Sequence, residues 1–228
     1  MKSFQLQYKI ATPHGIICGI AIPEPSRIPH KAWHLLHKKE QRHAQNLNGI
    51  RKMTYVGGRV AAKYALQNFQ KEHLEISQDI FGAPLIEPGL VVSISHKSDI
   101  AVAMISQRLH TTIGIDIETL QPQRPTIAKK VLTDTELELY ENLPPERQWG
   151  FLLLNFSIKE CIFKALAPRW KRYIGFHEAE VFPHPNHCAD IFLKNEGKDI
   201  LPISIEARYI WHDEYVISTV QATWASSN

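Results

Sequence analysis

Two acidic residues, two positions apart in TTIGIDIE at residues 111–118, are the first side chains whose spacing points to chemistry. Side chains alternate between the two faces of a β-strand, so the three isoleucines take one face while Asp116 and Glu118 share the other with Gly114. Carboxylates on one face repel each other, and a hard divalent cation such as Mg²⁺ relieves the repulsion by taking both as oxygen ligands. An ordinary strand with one solvated face has the same pattern, so both interpretations stay open at this point.

A second group of charged residues lies in FSIKECIFKAL at residues 156–166. Apolar residues at three- and four-residue spacing predict a helix over about residues 148–166. Glu160 and Lys164 are four residues apart, so we expect them together on a face roughly opposite the apolar stripe, with Lys159 beside them. An exposed Glu–Lys pair is the ordinary explanation. The two phenylalanines of the segment indicate instead that the face is covered, and buried charge then requires an ion or a ligand.

Further polar residues are placed where they can reach an anion. VVSISH ends in Ser95 and His96 at the start of a hairpin turn. Basic residues gather at residues 37–43 and again at Arg51 and Arg59. A phosphate-bearing or acidic partner suits this patch, as does a solvated helix face.

Composition limits the class of protein. The 228 residues are 44% hydrophobic and 21% charged, which is typical of a globular chain with a sizeable core. No stretch approaches the roughly 20 apolar residues of a membrane span, and no signal peptide is recognisable, so we expect a cytoplasmic protein. Three widely spaced cysteines predict free thiols. P-loop, dinucleotide-binding and serine-hydrolase motifs are missing, and no pattern favours nucleic acid.

The order of predicted elements indicates an internal duplication. Residues 31–47 have helical composition, a second helix follows Gly49, and VVSISH, IAVAMIS and TTIGIDIE are most simply a strand meander. TDTE at residues 133–136 predicts a helix that starts with a capping box, and ISIEARYIW and YVISTVQA predict two more strands. Each half thus has a helix, a second helix ending in KYAL or FKAL, and a hairpin. This order predicts two related α/β lobes that face each other across a cleft.

The two charged motifs together resemble a known signature. GIDIE, followed by FSIKECIFKAL, is similar to the paired pattern G-[IV]-D-x-E and [WF]-[SCT]-x-K-E-x-x-x-K of the Sfp-type 4′-phosphopantetheinyl transferases, and every fixed position is met. SISH, RKMTYVGGRVAAKYAL and FGAPLIEPG resemble the enterobactin-synthase-associated branch of that family. Ala83 departs from the pattern, because many relatives carry Lys or Arg there to contact the nucleotide.

The resemblance implies a fold and a reaction. The fold is α+β, with two similar α/β lobes related by a pseudo-twofold axis, residues 1–112 and 113–228, and the active site in the cleft between them. The reaction transfers the 4′-phosphopantetheine group of coenzyme A to a serine of an apo acyl or peptidyl carrier protein and releases adenosine 3′,5′-bisphosphate. The carriers of the family serve fatty acid, polyketide or nonribosomal peptide biosynthesis, and we expect a monomer.

The resemblance also implies roles for individual residues. Asp116, Glu118 and Glu160 hold Mg²⁺, while Lys164, Lys159, Ser95 and His96 contact or neutralise the phosphates of coenzyme A, and Arg51 and Arg59 are candidates for its 3′-phosphate. Glu160 is expected to take the proton of the attacking serine, and His96 is the rival base. A Mg²⁺-dependent nucleotide phosphohydrolase and a non-catalytic carrier-binding module are the alternative functions.

Overall fold

The computed structural model contains two compact units, Met1–Leu109 and His110–Asn228. The predicted boundary between residues 112 and 113 lies three residues beyond the boundary of the units. Both units combine helices with an antiparallel sheet, so the predicted α+β class is confirmed. The structure describes residues 4–24, 27–79, 82–194, 197 and 199–226.

The first unit has one long helix and a four-stranded sheet. Its elements are β1 (Gln5–Thr12), β2 (Gly15–Ala21), α1 (His30–Leu35), α2 (Lys38–Gln45), α3 (Gly49–Leu66), β3 (Ser77–Gln78), β4 (Pro84–Leu85), β5 (Val91–His96) and β6 (Ile100–Ser106). The sheet has the order β1-β2-β6-β5, and β3 and β4 form a separate pair. The family-like stretch FGAPLIEPG begins at Phe81, which lies outside the described residues.

The second unit has the longest helix and a five-stranded sheet. Its elements are β7 (Thr111–Thr119), α4 (Ala128–Val131), α5 (Asp134–Asn142), α6 (Pro145–Trp170), β8 (Ala179–Pro183), β9 (Cys188–Leu193), β10 (Ser204–His212) and β11 (Tyr215–Thr223). The sheet has the order β7-β11-β10-β9-β8, and all its pairings are antiparallel. Of the helices described in the two units, none is both long and apolar enough to cross a membrane.

The predicted helices form, with shifted ends. Residues 31–47 form two helices rather than one, because Leu36 and His37 have extended backbones. Helix α3 continues through Gly57 and Gly58, as expected. Helix α6 extends beyond the predicted range at both ends. It begins at Pro145, where proline suits the first helical turn.

The predicted meander is wrong at its third strand. Strands β5 and β6 do form an antiparallel hairpin. Strand β7, however, pairs with β11 in the second unit and not with β6. The reason is that β6 already has β2 and β5 as its two neighbours, so it offers no free edge.

The two units repeat one arrangement. In each, a strand (β2 or β7) comes before a long helix (α3 or α6), and a hairpin (β5–β6 or β10–β11) follows it. The second strand of the hairpin (β6 or β11) then pairs antiparallel with the strand before the long helix (β2 or β7). The long helix packs on these strands, and each unit buries its own apolar cluster beneath it. The duplicated element order is confirmed, whereas the twofold relation and the cleft stay predictions.

Candidate active site

Asp116 connects the strand motif to the helix motif. Its Oδ2 atom accepts a hydrogen bond from Ser157 Oγ at 3.0 Å, although the two residues are 41 positions apart. Its Oδ1 atom accepts one from Lys164 Nζ at 2.9 Å, and the same ammonium donates to Ile115 O at 2.9 Å. Strand β7 and helix α6 therefore bring together at one carboxylate the motifs that the sequence presents separately.

The polar face of β7 is turned toward α6. A Cβ atom added to Gly114 would lie 2.0 Å from the carbonyl oxygen of Cys161, so only glycine permits the helix to come this close. Asp116 and Glu118 follow on the same face, as the alternation predicts. They are 4% and 3% exposed, so the interpretation of an ordinary strand with one solvated face is wrong.

Each of the two buried carboxylates has a cation near it. Lys164 pairs with Asp116, as described, and Arg124 Nη2 lies 3.5 Å from Glu118 Oε2. Burial lowers the pKa of Lys164, but the negative charge of Asp116 and its neighbours outweighs burial and raises the pKa overall. The ammonium therefore stays charged beside Asp116 at neutral pH. Arg124 was not predicted, because an arginine in the connector QPQRPT carries no spacing signal.

Lys159 points away from this cluster, so the expectation that it lies beside Lys164 is wrong. Its Nζ atom donates to Glu136 Oε2 at 2.5 Å and to Val131 O at 2.9 Å, and the residue is 3% exposed. Five residues along an α-helix turn the side-chain direction by about 140°, which separates the two lysines. Burial lowers the pKa of Lys159, although the charge of Glu136 opposes that shift. Its predicted contact with coenzyme A stays a prediction.

Glu160 lines a cavity of about 240 Å³ beside α6, and Lys159 also borders it. The walls are largely apolar and aromatic, and they include Phe163, Tyr173 and Phe176. Phe163 packs on Tyr173 with ring centroids 5.9 Å apart, and Phe156 packs on Phe176 at 5.5 Å. Phe156 and Phe163 are half-buried, so the face that was predicted to be covered is covered only in part.

The donor chemistry of this region fits a hard cation. Asp116 and Glu118 supply carboxylate oxygens from one buried strand face, and oxygen ligands are those that Mg²⁺ prefers. Among the described residues, no group of three or more His, Cys, Asp or Glu side chains is arranged to hold a metal ion. All three predicted ligands, Asp116, Glu118 and Glu160, therefore stay predictions.

The predicted residues of the first unit have different environments. Ser95 is buried near the end of β5, and His96, the last residue of that strand, is exposed. Arg51 is exposed on the first turn of α3. Arg59 is 4% exposed, with its guanidinium carbon 4.6 Å from the Tyr55 ring centroid. The structure thus separates Arg51 from Arg59, and the nucleotide contacts of all four residues stay predictions.

Family models match both units. The model described as the 4′-phosphopantetheinyl transferase superfamily matches residues 112–220, and the model of the 4′-phosphopantetheinyl transferase N-terminal domain matches residues 39–106. A solved structure, that of a holo-(acyl-carrier-protein) synthase from Bacillus anthracis in complex with CoA (3′,5′-ADP), matches at 19% identity with a TM-score of 0.40. That match covers 50% of this chain and 96% of the other.

Two curated proteins extend the comparison. The 4′-phosphopantetheinyl transferase Npt of Nocardia iowensis is 30% identical over 140 residues, which cover 58% of this chain and 59% of that protein. Enterobactin synthase component D of Salmonella typhimurium is 34% identical over 176 residues, which cover 75% of this chain and 72% of that protein. The resemblance of the two charged motifs is therefore confirmed: the chain belongs to the 4′-phosphopantetheinyl transferase superfamily.

Proposed function

We propose that this protein transfers the 4′-phosphopantetheine group of coenzyme A to a serine of an apo carrier protein in a Mg²⁺-dependent reaction. The observation that carries the proposal is the meeting of the two family motifs at Asp116, where Ser157 and Lys164 of α6 bond the carboxylate of β7. Membership of the superfamily supplies the reaction class.

Asp116, Glu118 and Glu160 are the residues that would hold Mg²⁺. The ion, when bound, neutralises charge on the diphosphate and polarises its phosphorus–oxygen bonds. Lys164 would add positive charge for a phosphate oxygen, and its hydrogen bonds to Asp116 and to the carbonyl of Ile115 support this role. Such preorganised charge supplies much of the acceleration in phosphoryl transfer.

The serine hydroxyl of the carrier must lose its proton as it attacks the β-phosphorus. We assign that proton to Glu160, directly or through one water, with His96 as the rival base. Glu160 is half-buried and borders the cavity on α6, so a proton can reach it from bound substrate or from solvent. The leaving group is adenosine 3′,5′-bisphosphate.

The test incubates the protein with purified apo carrier proteins, coenzyme A and Mg²⁺, and follows the carrier by intact mass spectrometry. We expect one phosphopantetheine group per carrier, and no gain when the acceptor serine is alanine or when EDTA is present. Hydrolysis of coenzyme A with an unmodified carrier would support a phosphohydrolase instead. Binding of the carrier without any turnover would support the non-catalytic module.

The choice of base is tested in the same assay with Glu160→Gln and His96→Ala. Loss of a general base typically costs a factor of about 10² to 10⁴, so we expect kcat of Glu160→Gln to fall at least a hundredfold. Should Glu160→Gln keep most of its kcat while His96→Ala loses it together with the pH inflection, the proton would belong to His96.

A further inference from the structure

The first unit contains a buried glutamate with partners from three elements. Glu40, at 2% exposure, is the third residue of α2. Its Oε2 atom accepts a hydrogen bond from the backbone N–H of His37 at 2.7 Å, and its Oε1 atom accepts one from Ile76 N at 2.9 Å. Lys63 of α3 lies with its Nζ 3.3 Å from Oε2, and Arg59 Nε lies 4.0 Å from Oε1. We call Glu40 with Lys63 the first anchor.

The second unit repeats the glutamate–lysine pair and the two backbone hydrogen bonds to the glutamate. Glu136, at 0% exposure, is the third residue of α5. Its Oε2 atom accepts from the backbone N–H of Thr133 at 2.7 Å, and its Oε1 atom accepts from Val181 N of β8 at 2.6 Å. Lys159 of α6 lies with its Nζ 2.5 Å from Oε2. We call Glu136 with Lys159 the second anchor.

Both anchors connect a short helix, the long helix and the chain that follows the long helix. Because each charged partner is buried, removing one of them leaves the other without its counter-charge in a region of low dielectric constant. Each anchor therefore resists both rotation and sliding of its long helix. Only the capping box at Thr133 could be predicted from the sequence. The pairing of Glu136 with Lys159 could not, because the two residues are 23 positions apart.

The anchors differ in what lies next to them on the long helix. Lys63 is followed by Tyr64 in α3, whereas Lys159 is followed by Glu160 in α6. Neighbouring residues of a helix are related by a fixed turn of about 100°, so a lysine held at one angle fixes the direction of the residue after it. Glu160 borders the aromatic cavity, and Lys159 borders the same cavity while its ammonium is held by Glu136.

We infer that Glu136 and Lys159 are positioning residues of the transfer reaction, which hold α6 at the rotation that presents Glu160 to the substrates. The inference rests on the proposed function, in which Glu160 takes part in the reaction. The first anchor has the same chemistry without such a neighbour. It is therefore a control for the effect of breaking a buried pair as such.

The experiment compares matched variants of the two anchors. The second anchor is broken by Glu136→Gln, by Lys159→Met and by the double variant, and the first anchor by Glu40→Gln, Lys63→Met and their double variant. Melting temperatures are measured first, and kcat and KM are then measured well below them. A displaced catalytic group typically costs up to about a hundredfold, so we expect kcat to fall ten- to a hundredfold in the second-anchor variants, with KM for coenzyme A nearly unchanged. A raised KM in Lys159→Met alone would support the coenzyme A contact predicted for Lys159 and would contradict a positioning role.

We expect Lys63→Met, which leaves Glu40 next to Arg59, to lose thermal stability to a similar degree and to keep a kcat close to the wild type. Glu40→Gln and the double variant of the first anchor also remove the carboxylate next to Arg59, a candidate phosphate contact, so they are compared by melting temperature and not by kcat. The double variant of the second anchor leaves no buried charge unpaired, so it should regain stability without regaining kcat. The double variant also keeps the inference testable if a single variant fails to fold. A double variant with wild-type kcat, or equal losses of kcat for both anchors, would overturn the inference.

A second readout does not depend on turnover. Amide hydrogen exchange over residues 156–164 should be faster in second-anchor than in first-anchor variants, because local opening of α6 becomes easier. Equal exchange in the two sets would contradict an anchoring role. If the wild type transfers no phosphopantetheine, the proposed function fails, and the exchange data still decide whether the second anchor holds this segment.

Discussion

The two units use one scaffold for different purposes. At an offset of one hundred residues, KYAL at the end of α3 corresponds to FKAL in α6. The anchor lysines Lys63 and Lys159 are instead 96 residues apart, and matching them pairs Tyr64 of α3 with Glu160 of α6. Both units have an anchor with a buried glutamate, so the anchor belongs to the shared scaffold. Glu160, the carboxylate that we assign to the reaction, follows its anchor lysine at the position where the first unit has the aromatic residue Tyr64.

The units also differ in how the long helix approaches its sheet. In the first unit the glycines lie on the helix, and a Cβ atom at Gly58 would come 2.7 Å from a methyl carbon of Ile94. In the second unit the glycine lies on the strand, and a Cβ atom at Gly114 would meet the backbone of Cys161. A side chain can shift to relieve such a contact, whereas a helix backbone cannot without moving the helix. The second arrangement thus fixes α6 against the strand that carries Asp116.

The largest effect should come from Asp116→Asn, which removes a charge from the second unit at the point where the two motifs meet. Mutating a residue that only supports a metal ligand typically lowers metal affinity or activity about 10- to 100-fold. Loss of a proposed ligand itself should therefore lower kcat by more than about a hundredfold. Steady-state transfer rates at several Mg²⁺ concentrations provide the measurement. Ser157→Ala, which removes one hydrogen bond to the same carboxylate, serves as the control and should have a smaller effect. Near-normal rates for Asp116→Asn at limiting Mg²⁺ would exclude it from the site.

The second prediction compares Gly114→Ala with Gly58→Ala by denaturant unfolding. Overpacking typically costs about 1 to 3 kcal/mol, and we expect Gly114→Ala to reach or exceed the upper end because its clash is with a backbone carbonyl. For Gly58→Ala, the gain of about 1 kcal/mol in helix propensity offsets part of the cost of displacing Ile94. Equal losses of stability in the two variants would show that the two glycines serve the same purpose.

The sequence predicted what depends on local periodicity and on short motifs. The alternation in TTIGIDIE placed Asp116 and Glu118 on one face, and TDTE predicted the capping box at Thr133, because both patterns act within a few residues. Strand partners were harder to predict. The pairing of β7 with β11 joins residues about one hundred positions apart, and nothing local distinguishes it from pairing with β6.

Side-chain partners from distant elements were missed for the same reason. Lys159 was grouped with Glu160 and Lys164 on the strength of charge alone. Its true partner, Glu136, belongs to another helix, and the contact depends on how α5 packs on α6. Glu40 and Glu136 both occupy the third position of a capped helix. This shared position in the two halves is a sequence signal for the buried glutamate.

The third prediction concerns pH and sharpens the comparison of the anchors. Burial lowers the pKa of Lys63 below its ordinary 10.5, although Glu40 opposes the shift. Between the lowered pKa and 10.5 the unfolded chain binds a proton that the folded protein does not, so the free energy of unfolding rises with pH in this window. We expect the difference in free energy of unfolding between the wild type and Lys63→Met to show this rise in denaturant titrations between neutral pH and 10.5. Lys159→Met should show the same sign, and a flat difference for either lysine would contradict the shared environment.

The smallest effect is expected in the chemical labelling of the cysteines. Their order of labelling tests whether α6 stays packed on β7 and β11 in the native protein. Burial raises the pKa of the Cys18 thiol to about 11, with Lys9 opposing, and it raises that of Cys161 well above the ordinary value. Cys161 Sγ also lies 3.1 Å from Ser218 O, so its thiol hydrogen is engaged between α6 and β11. Cys188 is only partly buried.

Because the thiolate is the reactive form, iodoacetamide at mildly alkaline pH should modify Cys188 first in the native protein and all three cysteines after unfolding. Peptide mass spectrometry over time measures the order, and Cys188→Ser should transfer phosphopantetheine at the wild-type rate. Labelling of Cys161 as fast as that of Cys188 would mean that α6 opens away from β7 and β11, and the close contact at Gly114 would then fail to hold the proposed site together.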